Sequence, residues 1–78
     1  MLVYPYMASN DHGKMRKDLG DKLKRVREKV GMTQAEVASQ AGVHVNYYAR
    51  IERGEENPSY EKIQSIMKAL KIKSLDLL

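Results

Sequence analysis

Thr33-Gln34-Ala35-Glu36-Val37-Ala38-Ser39-Gln40-Ala41-Gly42-Val43-His44-Val45-Asn46-Tyr47-Tyr48-Ala49-Arg50-Ile51 is the stretch on which the fold turns. It opens with the pattern of a capping box. The Thr33 hydroxyl can accept from the Glu36 backbone N–H, while the Glu36 carboxylate reaches back to the Thr33 N–H. A short helix follows and ends near Gln40, with Gly42 beyond its end. At about two turns it is too short to persist alone in water, so packing must hold it. A further helix starts at His44 or Val45, runs to Arg53 and stops at Gly54. Two helices crossing at roughly 90–120° need a small residue where their backbones approach and a permissive one at the bend. Ala38 supplies the first and Gly42 the second. Val37, Val43, Tyr48 and Ile51 then face a shared core, which leaves His44, Val45, Asn46, Tyr47 and Arg50 pointing outward.

Outward from this pair the chain remains helical. Upstream, Leu19, Leu23, Val26 and Val30 recur at steps of four, three and four, the mark of one apolar helical stripe. Gly31 follows, as a helix C-terminus prefers, so this spacing predicts a helix over roughly Lys17 to Val30. Downstream, Glu55-Glu56-Asn57-Pro58 reads as a turn, because proline biases Asn57 away from helical angles. Ser59 can cap a further helix with Tyr60, Ile63, Met67 and Leu70 on its inner face. Ser74 can cap a last short turn, Leu75 to Leu78. The body of the chain holds no strand pattern, no internal repeat and no low-complexity tract, so the class is all-α. Met1 to Gly13 breaks the pattern. Val3, Tyr4 and Tyr6 favour a strand, but Pro5 removes a ladder donor, and Ser9 to Gly13 reads as a polar linker. Residues 1–16 are therefore expected to form a flexible N-terminal arm and residues 17–78 the folded domain. Three outcomes stay open for the arm: disorder, packing on a second copy, or a path along a bound polyanion.

Composition sets the outer limits. Seventy-eight residues make one domain, with a core that must be economical or shared with a second copy. There is no cysteine, hence neither disulfides nor a thiolate metal site. Met1 to Tyr6 is too short and lacks the basic flank of a signal peptide, and no apolar run approaches the roughly 18–20 residues that span a bilayer. A cytoplasmic protein with no membrane partner is expected. Fourteen Lys and Arg against ten Asp and Glu give +4. Lys14 to Lys29 alone carries eight basic and three acidic residues, a balance of +5 that suits a polyanion. Catalysis has little to work with. His12 and His44 are the only histidines, and neither a glycine-rich phosphate loop nor a triad can be composed. The expectation is no enzyme, no cofactor and no metal.

Thr33-Gln34-Ala35-Glu36-Val37-Ala38, Ala41-Gly42-Val43, Ile51-Glu52-Arg53-Gly54 and Asn57-Pro58-Ser59 together resemble the phage repressor and Cro family of helix-turn-helix proteins, which includes bacterial regulators of the XRE type. The likeness covers about Leu19 to Leu78. It implies a compact four- to five-helix bundle of the lambda-repressor type that binds double-stranded DNA. In such a motif the second helix of the pair enters the major groove. Carried over position by position, Val45, Asn46 and Arg50 become base-reading candidates, with Tyr47 reaching a thymine methyl or a phosphate. Asn46 could pair with adenine, Arg50 with guanine, and Val45 could pack on a thymine methyl. Arg50 has a second option, an ion pair with a nearby glutamate. The phosphate-binding candidates are Thr33 and Gln34 at the start of one helix, His44 at the start of the next, and Arg53 and Asn57 after it. His44 can alternatively serve as a helix cap. Glu52 has a structural role in the family pattern, since its charge cannot favour phosphates.

The chain departs from the family at Tyr48, where an aliphatic residue is usual, so either the core accepts a ring or the hydroxyl reaches the surface. The resemblance further implies a repressor acting as a homodimer on a short palindromic operator, with half-sites about one helical turn apart. Leu75, Leu77 and Leu78 offer apolar surface for such a dimer. Two other roles share this architecture: an antitoxin that binds a toxin protein, and a restriction-modification controller. Met1 to Gly13 carries no Lys or Arg. Deleting Met1 to Tyr6 should accordingly leave DNA affinity within about threefold, under roughly 0.7 kcal/mol. A tenfold loss in a titration of the folded truncated protein would place the arm in an interface.

Overall fold

In the computed structural model the backbone is described for residues 4–72 and the side chains for residues 13–72. Four helices follow one another: α1 (Tyr4–Val30), α2 (Gln34–Ala41), α3 (Val45–Glu52) and α4 (Tyr60–Ala69). Among the described residues there is no strand, and no helix is long and apolar enough to cross a membrane. The last turn expected at Leu75 to Leu78, and the leucines in it, lie outside the described residues.

The local signals read from the sequence are realised as geometry. The Thr33 hydroxyl accepts from the Glu36 N–H at 3.1 Å, and the Glu36 carboxylate accepts from the Thr33 N–H at 2.8 Å. Helix α2 ends at Gly42 with φ +74°. The Gly42 N–H donates to Ser39 at 3.2 Å and the Val43 N–H to Ala38 at 2.9 Å, satisfying carbonyls that would otherwise lack partners. Helix α3 closes in the same way. Gly54 N–H donates to the Ile51 carbonyl at 3.0 Å and Glu55 N–H to the Arg50 carbonyl at 2.8 Å. Ser59 caps α4 by accepting from the Lys62 N–H at 3.2 Å.

These helices enclose one core of Leu23, Val37, Ala38, Tyr48, Ile51, Ile66, Ala69 and Leu70, with Leu19, Val26, Met32, Ala41, Val43, Tyr47 and Ile72 packed around it. Full burial of each large aliphatic side chain contributes roughly 1.5–3 kcal/mol, before ordering costs. The ring of Tyr48 is accepted into this core with no exposure at all.

Three expectations are corrected. First, α1 begins at Tyr4, not near Lys17, so the segment read as a linker is helical and the helix runs unbroken across the expected boundary at residue 16. Pro5 falls in the first turn, where a missing N–H costs nothing. The turn-formers from Ser9 to Gly13 each carry only a modest helical penalty, which a long helix can absorb. Second, Tyr60 is 72% exposed. It shares the angular position of Met67, but as the first residue of α4 it overshoots the bundle, and Ile66 fills the core instead. Third, Val30 keeps the register of the α1 stripe yet is 49% exposed, because the helix ends there. Only a shallow cleft shared with Met32, Leu70 and Lys71 adjoins it.

The close approach of α1 to α3 depends on Gly20. A Cβ at this position would collide with the carbonyl oxygens of Ile51 and Glu52. In an ordinary helix interior, Gly→Ala gains roughly 0.5–1 kcal/mol. Here backbone, which cannot rotate away, occupies the space, and overpacking typically costs about 1–3 kcal/mol. Gly20→Ala should therefore destabilise the domain by at least about 1 kcal/mol, a Tm decrease of roughly 4–8 °C in thermal unfolding. An unchanged or raised Tm would mean that α1 can slide off α3 at no cost.

Candidate nucleic-acid interface

Helix α3 divides its side chains between two environments. Tyr48, Ile51 and Glu52 are buried, whereas Asn46 and Arg50 are exposed along the opposite side and His44 and Val45 at the N-terminal end. His44 begins the helix as a cap, its Nδ1 accepting from the Asn46 N–H at 3.2 Å. This is the capping option of the two open to it, and it requires an unprotonated Nδ1. Tyr47 was expected to point outward with the others. It is half-buried and packs at the edge of the core, so only part of its ring faces the solvent.

Beneath this surface lies a polar network that the sequence did not announce. Arg27 on α1 meets Glu52 on α3 through two donors, Nε to Oε2 at 2.6 Å and Nη2 to Oε1 at 3.2 Å. Its third nitrogen, Nη1, donates to the Met32 carbonyl at 3.0 Å, in the turn that leads into α2. Gln34, the first residue of α2, donates from Nε2 to Glu52 Oε1 at 2.8 Å. Both charged side chains are largely withdrawn from water, at 12% exposure for Arg27 and 3% for Glu52. Burial alone would push the Glu52 carboxyl up, but the bonds from Arg27 and Gln34, with the Tyr48 hydroxyl nearby, hold it below the usual glutamate range. The same carboxylate raises the Arg27 guanidinium further. Burial, and then Glu52, drive the Tyr48 phenol far above its ordinary value. That hydroxyl is buried and makes no well-formed hydrogen bond of its own.

The structural role expected for Glu52 is thus realised, and its partner Arg27 comes out of the basic stretch that had suggested a polyanion surface. Arg27 lies four residues beyond Leu23, at the margin of the apolar stripe, the one sequence signal that could have marked it. The rest of that stretch is partly neutralised too. Lys14 pairs with Asp18 at 3.3 Å and Lys17 with Asp21 at 2.9 Å, each one helical turn apart. The Lys17 hydrogen bond holds the Asp21 carboxyl below its ordinary range.

The remaining candidates lie at the start of α2 and in and beyond the last turn of α3. Thr33 is exposed, with its hydroxyl and N–H both committed to the capping box. Gln34 is half-buried beside it. Beyond α3, Arg50 Nε donates to Glu56 at 2.8 Å, so the glutamate pairing anticipated for it is present. Arg53 donates through Nε and Nη2 to Glu55, both at 3.1 Å. Asn57 is exposed in the same turn. The Arg53–Glu55 pair, more than half exposed on both sides, is held weakly and can be exchanged for a phosphate partner. Among the described residues no cluster of His, Cys, Asp and Glu could hold a metal.

A short, capped α3 with a polar outer face, set against α2 across a left-handed glycine, is the architecture whose family model, described as helix-turn-helix, matches residues 23–78. The chain belongs to the helix-turn-helix family of the phage repressor and XRE type. It is 33% identical over 63 residues to the uncharacterized HTH-type transcriptional regulator y4dJ of Sinorhizobium fredii, covering 81% of this chain and 82% of that one. The restriction-modification controller protein C.AhdI of Aeromonas hydrophila superimposes with a TM-score of 0.76 at 28% identity, over 77% of this chain and 91% of that one. A 54-residue match at 44% identity to a probable translation initiation factor IF-2 of Methanocaldococcus jannaschii takes in 69% of this chain and only 4% of that protein. The likeness to that factor is therefore one of a small module.

Removing one partner of a buried ion pair strands the other in low dielectric, at a cost of about 3–5 kcal/mol. Arg27→Ala should destabilise the domain by that order in chemical denaturation, while the double change Arg27→Met with Glu52→Met should recover most of it. The pH dependence has a definite sign. Because the folded state depresses the Glu52 pKa, its contribution is complete above the ordinary glutamate range and is lost as pH falls through the lower folded value. Glu52→Gln should flatten the acid limb of the stability profile. An unaltered limb would remove Glu52 from the pH response.

Proposed function

We propose that this chain is a sequence-specific, double-stranded DNA-binding transcription regulator of the cytoplasm, a repressor that binds a short palindromic operator as a homodimer. The observation that carries the reading is the outer face of α3. Asn46 and Arg50 are exposed on a helix whose opposite side is committed to the core, and Val45 is exposed at its first turn. The major groove is about 12 Å wide, takes one α-helix, and displays a distinct donor and acceptor pattern for each base pair. The Asn46 amide matches the adenine N6/N7 edge, the Arg50 guanidinium matches guanine O6/N7, and Val45 suits a thymine methyl. Tyr47, half-buried, can offer only its free edge to a methyl or phosphate.

Phosphate contacts would fix the register. The start of α2 supplies Thr33 and Gln34, and the Gln34 side chain keeps a second amide hydrogen after bonding Glu52. His44 stands at the start of α3, and Arg53 and Asn57 follow its end. Such contacts give affinity without sequence preference. The reading assigns the chain no catalytic step and no cofactor. A homodimer is supported by the economy of the domain, since two linked reading heads gain affinity through effective concentration. The superposition on C.AhdI favours one particular alternative, a restriction-modification controller, which would use the same interface.

Selection from a randomised duplex library should yield a twofold-symmetric consensus bound by two protomers, as sedimentation of the complex would show. Its affinity should fall with salt at a log–log slope of about −0.9 per neutralised phosphate. Arg50→Ala and Asn46→Ala should each cost about 1–3 kcal/mol on that site and relax the preference at one base position. No binding to any duplex at low salt, or an unchanged consensus from both variants, would overturn the assignment.

A further inference from the structure

We propose that Glu56 is a specificity-determining residue, holding Arg50 by its Nε atom so that both terminal amino groups are presented as a fixed fork to the base edge. The inference rests on the reading of Arg50 given above and adds a residue that itself meets no base. Its first support is the way the arginine is gripped. Glu56 Oε2 accepts from Arg50 Nε alone, at 2.8 Å. Among the described residues no hydrogen bond uses Arg50 Nη1 or Nη2, the pair of donors that could match guanine O6 and N7.

The second support is the anchoring of the carboxylate. The Glu55 N–H donates to the carbonyl of Arg50 itself at 2.8 Å, and the Gly54 N–H donates to Ile51 at 3.0 Å. Gly54, at φ +78°, sits against the Lys17 backbone of α1, where even a methyl group would be crowded. The backbone that delivers Glu56 is therefore tied to the residue Glu56 holds. The Glu56 side chain is also the more sheltered of the two, at 29% exposure against 44% for Arg50.

Arg53 supplies an internal contrast. Its Nε and Nη2 are both spent on Glu55, in a pair whose two side chains are more than half exposed. That side-on arrangement also leaves the Nη1/Nη2 end of the guanidinium free, but both partners are more exposed than Glu56 is, so the grip on Arg53 is the looser of the two.

A carboxylate beside the interface repels phosphates whatever the sequence, whereas an oriented fork rewards only the matching base. Glu56 should lower affinity for all DNA and raise the ratio between right and wrong sites. Kd values measured on the selected operator, on the operator changed at the Arg50-dependent base pair, and on random duplex separate the two effects. Glu56→Ala should strengthen binding to random duplex severalfold, yet reduce discrimination at that base pair by about threefold to tenfold, as expected when a side chain must be ordered on binding. Glu56→Gln keeps an acceptor for Nε without the charge. It should strengthen random-duplex binding while retaining most of the discrimination. In an Arg50→Ala background, Glu56→Ala should leave base preference untouched, and thermal unfolding of each variant confirms that it is folded. If Arg50→Ala itself leaves the consensus intact, the base-reading role of Arg50 fails. If Arg50→Ala relaxes the consensus but Glu56→Ala strengthens all duplexes equally, that role stands and the positioning role of Glu56 is overturned.

Discussion

The buried pair between Arg27 and Glu52 is the constraint on which the rest of the structure depends. It joins a residue near the end of α1 to the last residue of α3, and its spare donor and acceptor sites reach the turn at Met32 and the first residue of α2. Three of the four helices are therefore registered against one carboxylate. Withdrawing two charges from water costs several kcal/mol per ion, and only a full set of hydrogen bonds offsets it. Here the set is nearly full, since the guanidinium uses all three of its nitrogens and the carboxylate both of its oxygens. What such a network supplies is position more than stability. An apolar core of Leu23, Val37, Ile51 and Ile66 would tolerate small slides of one helix over another, whereas a bidentate pair 2.6 and 3.2 Å long would not.

Electrostatics at the proposed interface also look different once partners are known. The chain carries +4 in total, and the basic stretch in α1 suggested a broad field. Yet Arg27 is largely withdrawn from water, and Lys14 and Lys17 each face an aspartate one turn away. The cations at the end of α3 are likewise matched by glutamates of the following turn. Except at Arg50, whose Nη1 and Nη2 make no hydrogen bond among the described residues, binding a polyanion must therefore exchange intramolecular partners for phosphates. Weakly held, exposed pairs allow that exchange, and it favours selectivity over sheer affinity.

Much of the fold was legible because its signals are local. The Thr33–Glu36 capping box, the left-handed Gly42 and the Ser59 cap involve residues within a few positions of one another, and each appears where its chemistry required. Long-range features were not legible. Only its place four residues beyond Leu23 sets Arg27 apart from seven other cations in the same stretch, because its partner lies 25 residues away. No local pattern marks Gly20, and only the approach of the α3 carboxyl end explains it. The stripe of α1 and the inner face of α4 were read from periodicity, which gives an angle around a helix but not how far the bundle extends along it. Val30 and Tyr60, at helix ends, were misplaced for that reason. At the site, outward positions were legible from the same periodicity, but Tyr47 was not, because a large ring can lie flat against the core from a boundary position.

The division of α3 into a committed side and a free side has a consequence for how such a protein can change. Its inner residues, Tyr48, Ile51 and Glu52, are each held by several neighbours, so substitutions there are paid in folding. Its outer residues, Val45, Asn46 and Arg50, carry almost none of that load, and exchanges among them fall near zero on the stability scale. New binding preferences are therefore reachable by single steps that never approach the unfolding threshold. A gene duplicate of this chain could drift toward a new target sequence while remaining folded at every intermediate. The same separation makes the helix a suitable scaffold for directed randomisation.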